Sequence, residues 1–166
     1  MTRPFLLWPD PRLRKAAEPI EAVDDKVRAI WDEMVAAMDA MPGIGLAAPQ
    51  IGVMRHLAVV DASETRGQVI RIANPRLLQV SDETIAIQEA SPNLPGVSAE
   101  VVRPISCTVA YLDEGGSPCE RELDGLWARS VQHQIDHLSG RMYFHRLSRL
   151  KRDRLLKKAG RRQIFS

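Results

Sequence analysis

His133 and His137 stand four residues apart in Val131-Gln132-His133-Gln134-Ile135-Asp136-His137-Leu138. On a helix that spacing puts two side chains one above the other on the same face, which is how a helix offers two imidazoles to one metal ion. In the His-Glu-x-x-His arrangement, the residue after the first His is a Glu that takes a proton from metal-bound water. Here that residue is Gln134. An amide has no protonation equilibrium near neutral pH and cannot serve as that base. Two histidines at this spacing also occur simply as hydrogen-bonded residues on a helix face, so the pair acquires meaning only from the elements around it.

The pair needs a helix, and about Gly125 to Leu138 supplies one, stopping at Ser139-Gly140. Trp127, Val131, Ile135 and Leu138 form its main apolar face, while Leu126, Ser130, His133 and His137 form an adjacent stripe that would line a pocket. An earlier helix starts at Asp24 or Asp25. It carries Val27, Ile30, Trp31, Met34, Val35, Met38 and Met41 at spacings of three and four, and Pro42-Gly43 ends it. Gly43-Ile44-Gly45-Leu46-Ala47-Ala48-Pro49-Gln50-Ile51-Gly52-Val53 reads as a tight loop running into a strand, its glycines allowing a ligand close to the backbone. Strands are predicted over His56 to Asp61, Gln68 to Ile72, Leu77 to Glu89, Val101 to Leu112 and Cys119 to Leu123. Turns are predicted at Asn74-Pro75 and Asp113-Glu114-Gly115-Gly116. Glu89 to Gly96 holds two prolines and reads as an irregular loop. Cys107 reads as core packing. A basic helix over about 147–164 closes the sequence, with Leu147, Leu150, Leu155 and Leu156 as docking residues. The order of elements predicts one α+β domain, 1–166, built mostly on antiparallel strands.

Composition excludes several classes. With 45% apolar and 27% charged residues the chain is ordinary for a soluble globular protein. Its first apolar run is too short for a signal peptide and is broken by Pro9, and no run approaches a membrane span. Cys107 and Cys119 make neither a disulfide framework nor a zinc ribbon. The cytoplasm is the expected location. Net charge is +2, but nine Lys or Arg follow from Arg146 onward against Asp153 alone. The remainder is therefore net acidic, and the tail points to a polyanion, with RNA expected and neither DNA nor a membrane.

Three separated motifs resemble those of the peptide deformylases. Gly43-Ile44-Gly45-Leu46-Ala47-Ala48-Pro49-Gln50 looks like the first signature. Glu89 to Gly96 falls where the family has Glu-Gly-Cys-Leu-Ser-x-Pro-Gly. Gln132 to His137 resembles Gln-His-Glu-x-Asp-His. Pro11-Arg12-Leu13-Arg14 and Gly96 to Arg103 fit in order and spacing, so the resemblance covers essentially the whole chain. It implies the deformylase fold, with strands around a central helix that carries the His pair, plus a C-terminal helix. It also implies removal of the formyl group from the N-terminal methionine of new chains. In that family Fe²⁺ or Zn²⁺ is held by the motif-two Cys and the two His. The Glu handles protons, while the motif-one Gln and the N–H after the Cys hold the oxyanion. Carried over, His133 and His137 are the metal ligands, Gln50 and Gly45 belong to the catalytic site, and Gly43, Ile44, Leu46 and Glu89 border the substrate. Asp136 and Arg103 support the site from behind. The family's C-terminal helix docks on the ribosome, which would place Lys151, Arg152, Arg154, Lys157 and Lys158 against ribosomal RNA.

The departures are as specific as the matches. Ser91 replaces the Cys, a neutral hydroxyl in place of a soft thiolate, and is a weak or absent ligand. Pro92 has no N–H to donate to an oxyanion, a loss of about 10²–10³ in rate. Gln134 replaces the Glu, a loss of about 10²–10⁴. Ala90 and Asn93 replace the motif-two Gly and Ser. The expectation is a deformylase-like protein with no tightly bound metal that has lost or nearly lost the activity. It would act by binding a nascent-peptide N-terminus or small peptide, or the ribosome. The alternative is an active metal-dependent hydrolase, a weak deformylase or a hydrolase of another amide, whose metal site is rebuilt with Glu89, Asp136 or a water. Asp136 points about 100° away from His137 on an ideal helix, which favours pairing with Arg103 over ligation.

Overall fold

The computed structural model describes residues 3–164. Helix α1 spans Asp25–Ala40. Asp24 caps it, its carboxylate accepting from the Val27 N–H at 2.9 Å. Val27, Trp31, Met34 and Met38 are fully buried, as their spacing requires. Past the helix, the Gly43 N–H donates back to the Met38 carbonyl and turns the chain toward the sheet.

Seven strands follow: β1 (Gly45–Ala47), β2 (Leu57–Val60), β3 (Ile70–Val80), β4 (Thr84–Glu89), β5 (Ala99–Pro104), β6 (Ser106–Leu112) and β7 (Pro118–Asp124). β1-β2-β3-β6-β7 form one antiparallel sheet and β4-β5 a separate antiparallel pair. Helix α2, Gly125–Leu138, lies where the sequence places it. Its Ala128, Val131 and Leu138 pack on Ala58, Val60, Ile72 and Val109 of the large sheet. α2 stops at Gly140, whose φ of +79° and close approach to the backbone of Arg14 and Lys15 leave no room for a side chain. Helix α3, Arg149–Ile164, packs Leu155 and Ala159 into a third cluster with Leu94, Val97, Val101, Met142, Tyr143 and Phe144.

Five expectations are corrected. Asn74-Pro75 is not a turn but an irregularity inside β3, where pairing with β6 shifts register between Ala73 and Arg76. Asn74 sits at φ +50° with its amide bonded to both the N–H and the carbonyl of Ile20, an Asn tolerating the left-handed region as few residues do. The strand read over Leu77 to Glu89 is therefore split between β3 and β4. Val101 to Leu112 is likewise two strands in different sheets, broken at Ile105. The loop from Gly43 forms β1 and then a 3₁₀ turn, Ala48–Ile51. Leu150 is exposed and docks nowhere. Cys107 is buried within the sheet, as read, and burial pushes its thiol up to about 11.

Candidate active site

Three segments converge on one cleft of about 490 Å³: the run from Met41 to Gln50, the loop from β4 through Pro92, and the face of α2 bearing Leu126, Arg129, Ser130, His133 and Gln134. Ile44, Ile87 and Leu126 give it an apolar wall. Gly45 lets α2 come close. A Cβ there would press into Ser130 Oγ and lie 2.5 Å from Gln134 Nε2. Leu46, expected to border a substrate, instead points into the core and is fully buried.

The two imidazoles converge. Nε2 of His133 and Nε2 of His137 face each other at 3.1 Å, a hydrogen bond that places one proton between them. Burial, then the neighbouring His133 and Arg103, hold His137 well below the ordinary imidazole value, so its ring is neutral. On the far side of the His133 ring, Nδ1 donates to Glu89 Oε1 at 2.7 Å. Glu89 thus orients the ring and does not join the Nε2 side, which removes it as a replacement ligand. Burial pushes the Glu89 carboxyl up, but hydrogen bonds from His133 and Arg103 and the Arg103 charge outweigh it and hold it down at about 2. Tyr143 stacks on His133, and burial followed by the Glu89 charge pushes its hydroxyl up to about 12.

Arg103 is fully buried and ties the support together. Its Nε and Nη2 donate to the two Glu89 oxygens at 2.6 and 2.9 Å, and its Nη1 donates to Asp136 Oδ2 at 2.9 Å. The expected Asp136–Arg103 pair is thus present. Two members of this network were not anticipated. Arg129, one turn before His133, bonds Glu89 and the carbonyls of Val101 and Ile85. Its position at i−4 from His133, on the same face of α2, was the available signal. Arg146, read only as part of the basic tail, grips both Asp136 oxygens at 2.6 and 2.7 Å.

Ser91 lies at the cleft, but its hydroxyl is fully engaged. Oγ donates to Asn93 Oδ1 at 3.0 Å and accepts from the Asn93 N–H at 3.3 Å and from Gln50 Nε2 at 3.4 Å. Gln50 is engaged as well: Oε1 accepts from the Ala47 N–H and Nε2 donates to Asn93 Oδ1 at 2.7 Å. Asn93 is fully buried and closes the knot, its Nδ2 donating to the Leu6 and Gln50 carbonyls. Sequence reasoning noted Asn93 as a replacement and missed that it takes up both Ser91 and Gln50. Gln134 Oε1 is buried without a hydrogen-bond partner.

As a donor set for Fe²⁺ or Zn²⁺ these residues are incomplete. Two tetrahedral nitrogen ligands would lie about 3.3 Å apart, so the His pair is well placed. The third donor is a neutral hydroxyl whose hydrogen and lone pairs are spent on neighbours, a poor ligand for either ion. Among the described residues no group of three His, Cys, Asp or Glu could hold a metal ion. No described helix is long and apolar enough to cross a membrane.

This arrangement of sheet, helix and cleft has known relatives. The family model for polypeptide deformylase matches residues 2–153. A peptide deformylase of Methylocella silvestris is 44% identical over 161 residues, covering 94% of this chain and 82% of the relative. One from Azotobacter vinelandii is 43% identical over 154 residues, covering 93% and 92%. Among solved structures, the peptide deformylase of Legionella pneumophila superposes with a TM-score of 0.89 at 37% identity, covering 100% of this chain and 99% of the other. That of Ehrlichia chaffeensis in complex with actinonin gives 0.90 at 34% identity over 97% of each. With the match spanning nearly every element that builds the cleft, the chain belongs to the polypeptide deformylase family.

Proposed function

We propose that this member of the family has lost, or nearly lost, deformylation and acts by binding, with a peptide N-terminus as the ligand of the cleft. One observation carries the reading: Ser91, at the position of the family's Cys, spends its hydroxyl on Asn93 and Gln50. That leaves His133 and His137 as two donors without a third. Pro92 and Gln134 support the same reading, since the first lacks the N–H that would stabilise an oxyanion and the second lacks a base. The test is metal content after dialysis against a mild chelator, read beside turnover of a formyl-Met peptide. Substoichiometric metal and no turnover are expected. One metal per chain with turnover would establish the second reading, an active metal-dependent hydrolase acting as a weak deformylase or on another amide. That reading draws support from the His pair at 3.1 Å and from relatives that bear the name peptide deformylase.

We also propose that α3 binds ribosomal RNA. Lys151, Arg154, Lys157 and Lys158 are exposed on it and Arg152 half-exposed, with Asp153 its lone acid.

A further inference from the structure

An anionic ligand needs donors that are free, and a second cavity gathers them. It measures about 520 Å³ and is lined by Val102 of β5, by Gly140 and Arg141 just past α2, and by His145 and Arg146 of the 3₁₀ turn Tyr143–Arg146. It shares no lining residue with the cleft.

Each of its basic side chains has a hydrogen to give. Arg146 spends Nε and Nη2 on Asp136 and keeps Nη1 without a partner among the described residues. His145 Nδ1 accepts from the Met142 N–H at 2.9 Å, so the neutral ring carries its hydrogen on Nε2. That hydrogen too has no acceptor among the described residues. The ring is fixed by packing, 4.7 Å from Phe144 and edge-on to Trp8 at 5.5 Å between centroids. Arg141 is exposed and, among the described residues, pairs with no carboxylate.

The local field is positive. Burial, then the charges of Arg152 and Arg141, hold His145 below the ordinary imidazole value, outweighing the Met142 bond and Asp136. No Asp or Glu lines the cavity, and Asp136 is already held by Arg103 and Arg146. Cations gathered without an acid between them gain most from a ligand of opposite charge.

We infer that this cavity binds a terminal phosphate monoester, its three oxygens taken by the Arg141 guanidinium, the Nε2–H of His145 and Nη1 of Arg146. A monoester is close to a dianion at neutral pH and has an oxygen for each donor, whereas a backbone diester has a single charge and two free oxygens. Val102, 59% exposed, offers an apolar lip to the group that carries the phosphate. The inference stands apart from the readings of the cleft and of α3.

The test is isothermal titration of the full-length protein with phenyl phosphate in chloride buffer. Saturable binding at one per chain is expected. Arg141→Gln, an exposed change, should weaken it about tenfold, and so should His145→Phe, which keeps a ring between Trp8 and Phe144 but removes the donor. Arg76→Gln removes the same charge from an exposed position of β3 and should leave affinity within about twofold. An RNA oligonucleotide with and without a 5′-phosphate separates the two sources of the group. A preference for the phosphorylated end that Arg141→Gln abolishes assigns the site to RNA ends, and equal binding of the two assigns it to small monoesters. Absence of saturable phenyl phosphate binding overturns the inference. So does binding unchanged by both Arg141→Gln and His145→Phe, or weakened as much by Arg76→Gln.

Discussion

Nε2 of His133 and Nε2 of His137 lie 3.1 Å apart, the first ring held from behind by Glu89 at 2.7 Å. On the proposed reading the pair is set for a metal ion and, among the described residues, lacks a third ligand. Ser91→Cys should therefore raise Zn²⁺ affinity by tenfold or more, on the order of the loss seen when a ligand or its support is removed. Competition with a fluorescent zinc chelator measures it, and an unchanged affinity would show that Ser91 is not the missing donor.

Restored affinity is not restored turnover. Gln134→Glu alone should give no turnover, because a base needs an activated water to act on. The triple change Ser91→Cys, Pro92→Leu and Gln134→Glu returns ligand, N–H and base and should give measurable deformylation of a formyl-Met peptide with Fe²⁺, Co²⁺ or Ni²⁺ supplied. Adding Asn93→Ser should raise kcat further, since Asn93 Oδ1 otherwise keeps the Gln50 amide at 2.7 Å. A gain of about 10-fold or more is expected from one freed oxyanion donor. No gain would separate Gln50 from the chemistry.

Glu89 sets an acid limit on the fold. Its carboxyl is held at about 2 against an ordinary 4.5. A group depressed in the native state stabilises it above the unfolded value, and that contribution is lost as pH falls from about 4.5 toward 2. The loss is on the order of 3 kcal/mol. Glu89→Gln should flatten this limb of the stability curve in urea melts. At pH 7 it should cost about 3–5 kcal/mol, because Arg103 and Arg129 stay buried without their carboxylate. A variant with wild-type stability at pH 7 would contradict the network.

Gly45→Ala should be destabilising by about 1–3 kcal/mol, since its Cβ presses into Ser130 and Gln134 and forces α2 outward. Thermal melts check this, and an unchanged midpoint would mean that α2 has slack.

Reversing Lys151, Arg154, Lys157 and Lys158 to Glu should weaken co-sedimentation with ribosomes. It should also flatten the dependence of log affinity on log salt by about three. Unchanged binding by the reversed protein would sink the RNA proposal. Deleting the helix is the poorer test, because Leu155 and Ala159 are core residues.

Periodicity sufficed for α1 and α2, whose buried faces recur every three or four residues, and the His spacing brought the two Nε2 atoms together, although only His133 lines the cleft and His137, expected in the same stripe, is buried behind it. The small-residue run before Gln50 carries no such period, so β1 and the 3₁₀ turn were illegible there. In β3 the Asn-Pro pair spells a turn locally and is overridden by pairing with β6 and by the bonds from Asn74 to Ile20. The knot at Asn93 depends on contacts across more than forty positions, which no local pattern encodes. Arg146 looked like tail charge for the same reason: its partner Asp136 lies ten positions back, across a turn.

The packing of α3 against Leu94 and Val97 also orders events in time. The segment from Ser91 to Val97 is made before Leu155 and Ala159, which belong to the cluster that packs on it. Arg162, whose side chain lies against Gly96, follows them. The wall of the cleft contributed by that loop therefore cannot reach its final packing until the basic helix has cleared the exit of whatever machine is making it. Any ligand that needs this wall is met only after the basic helix has been made.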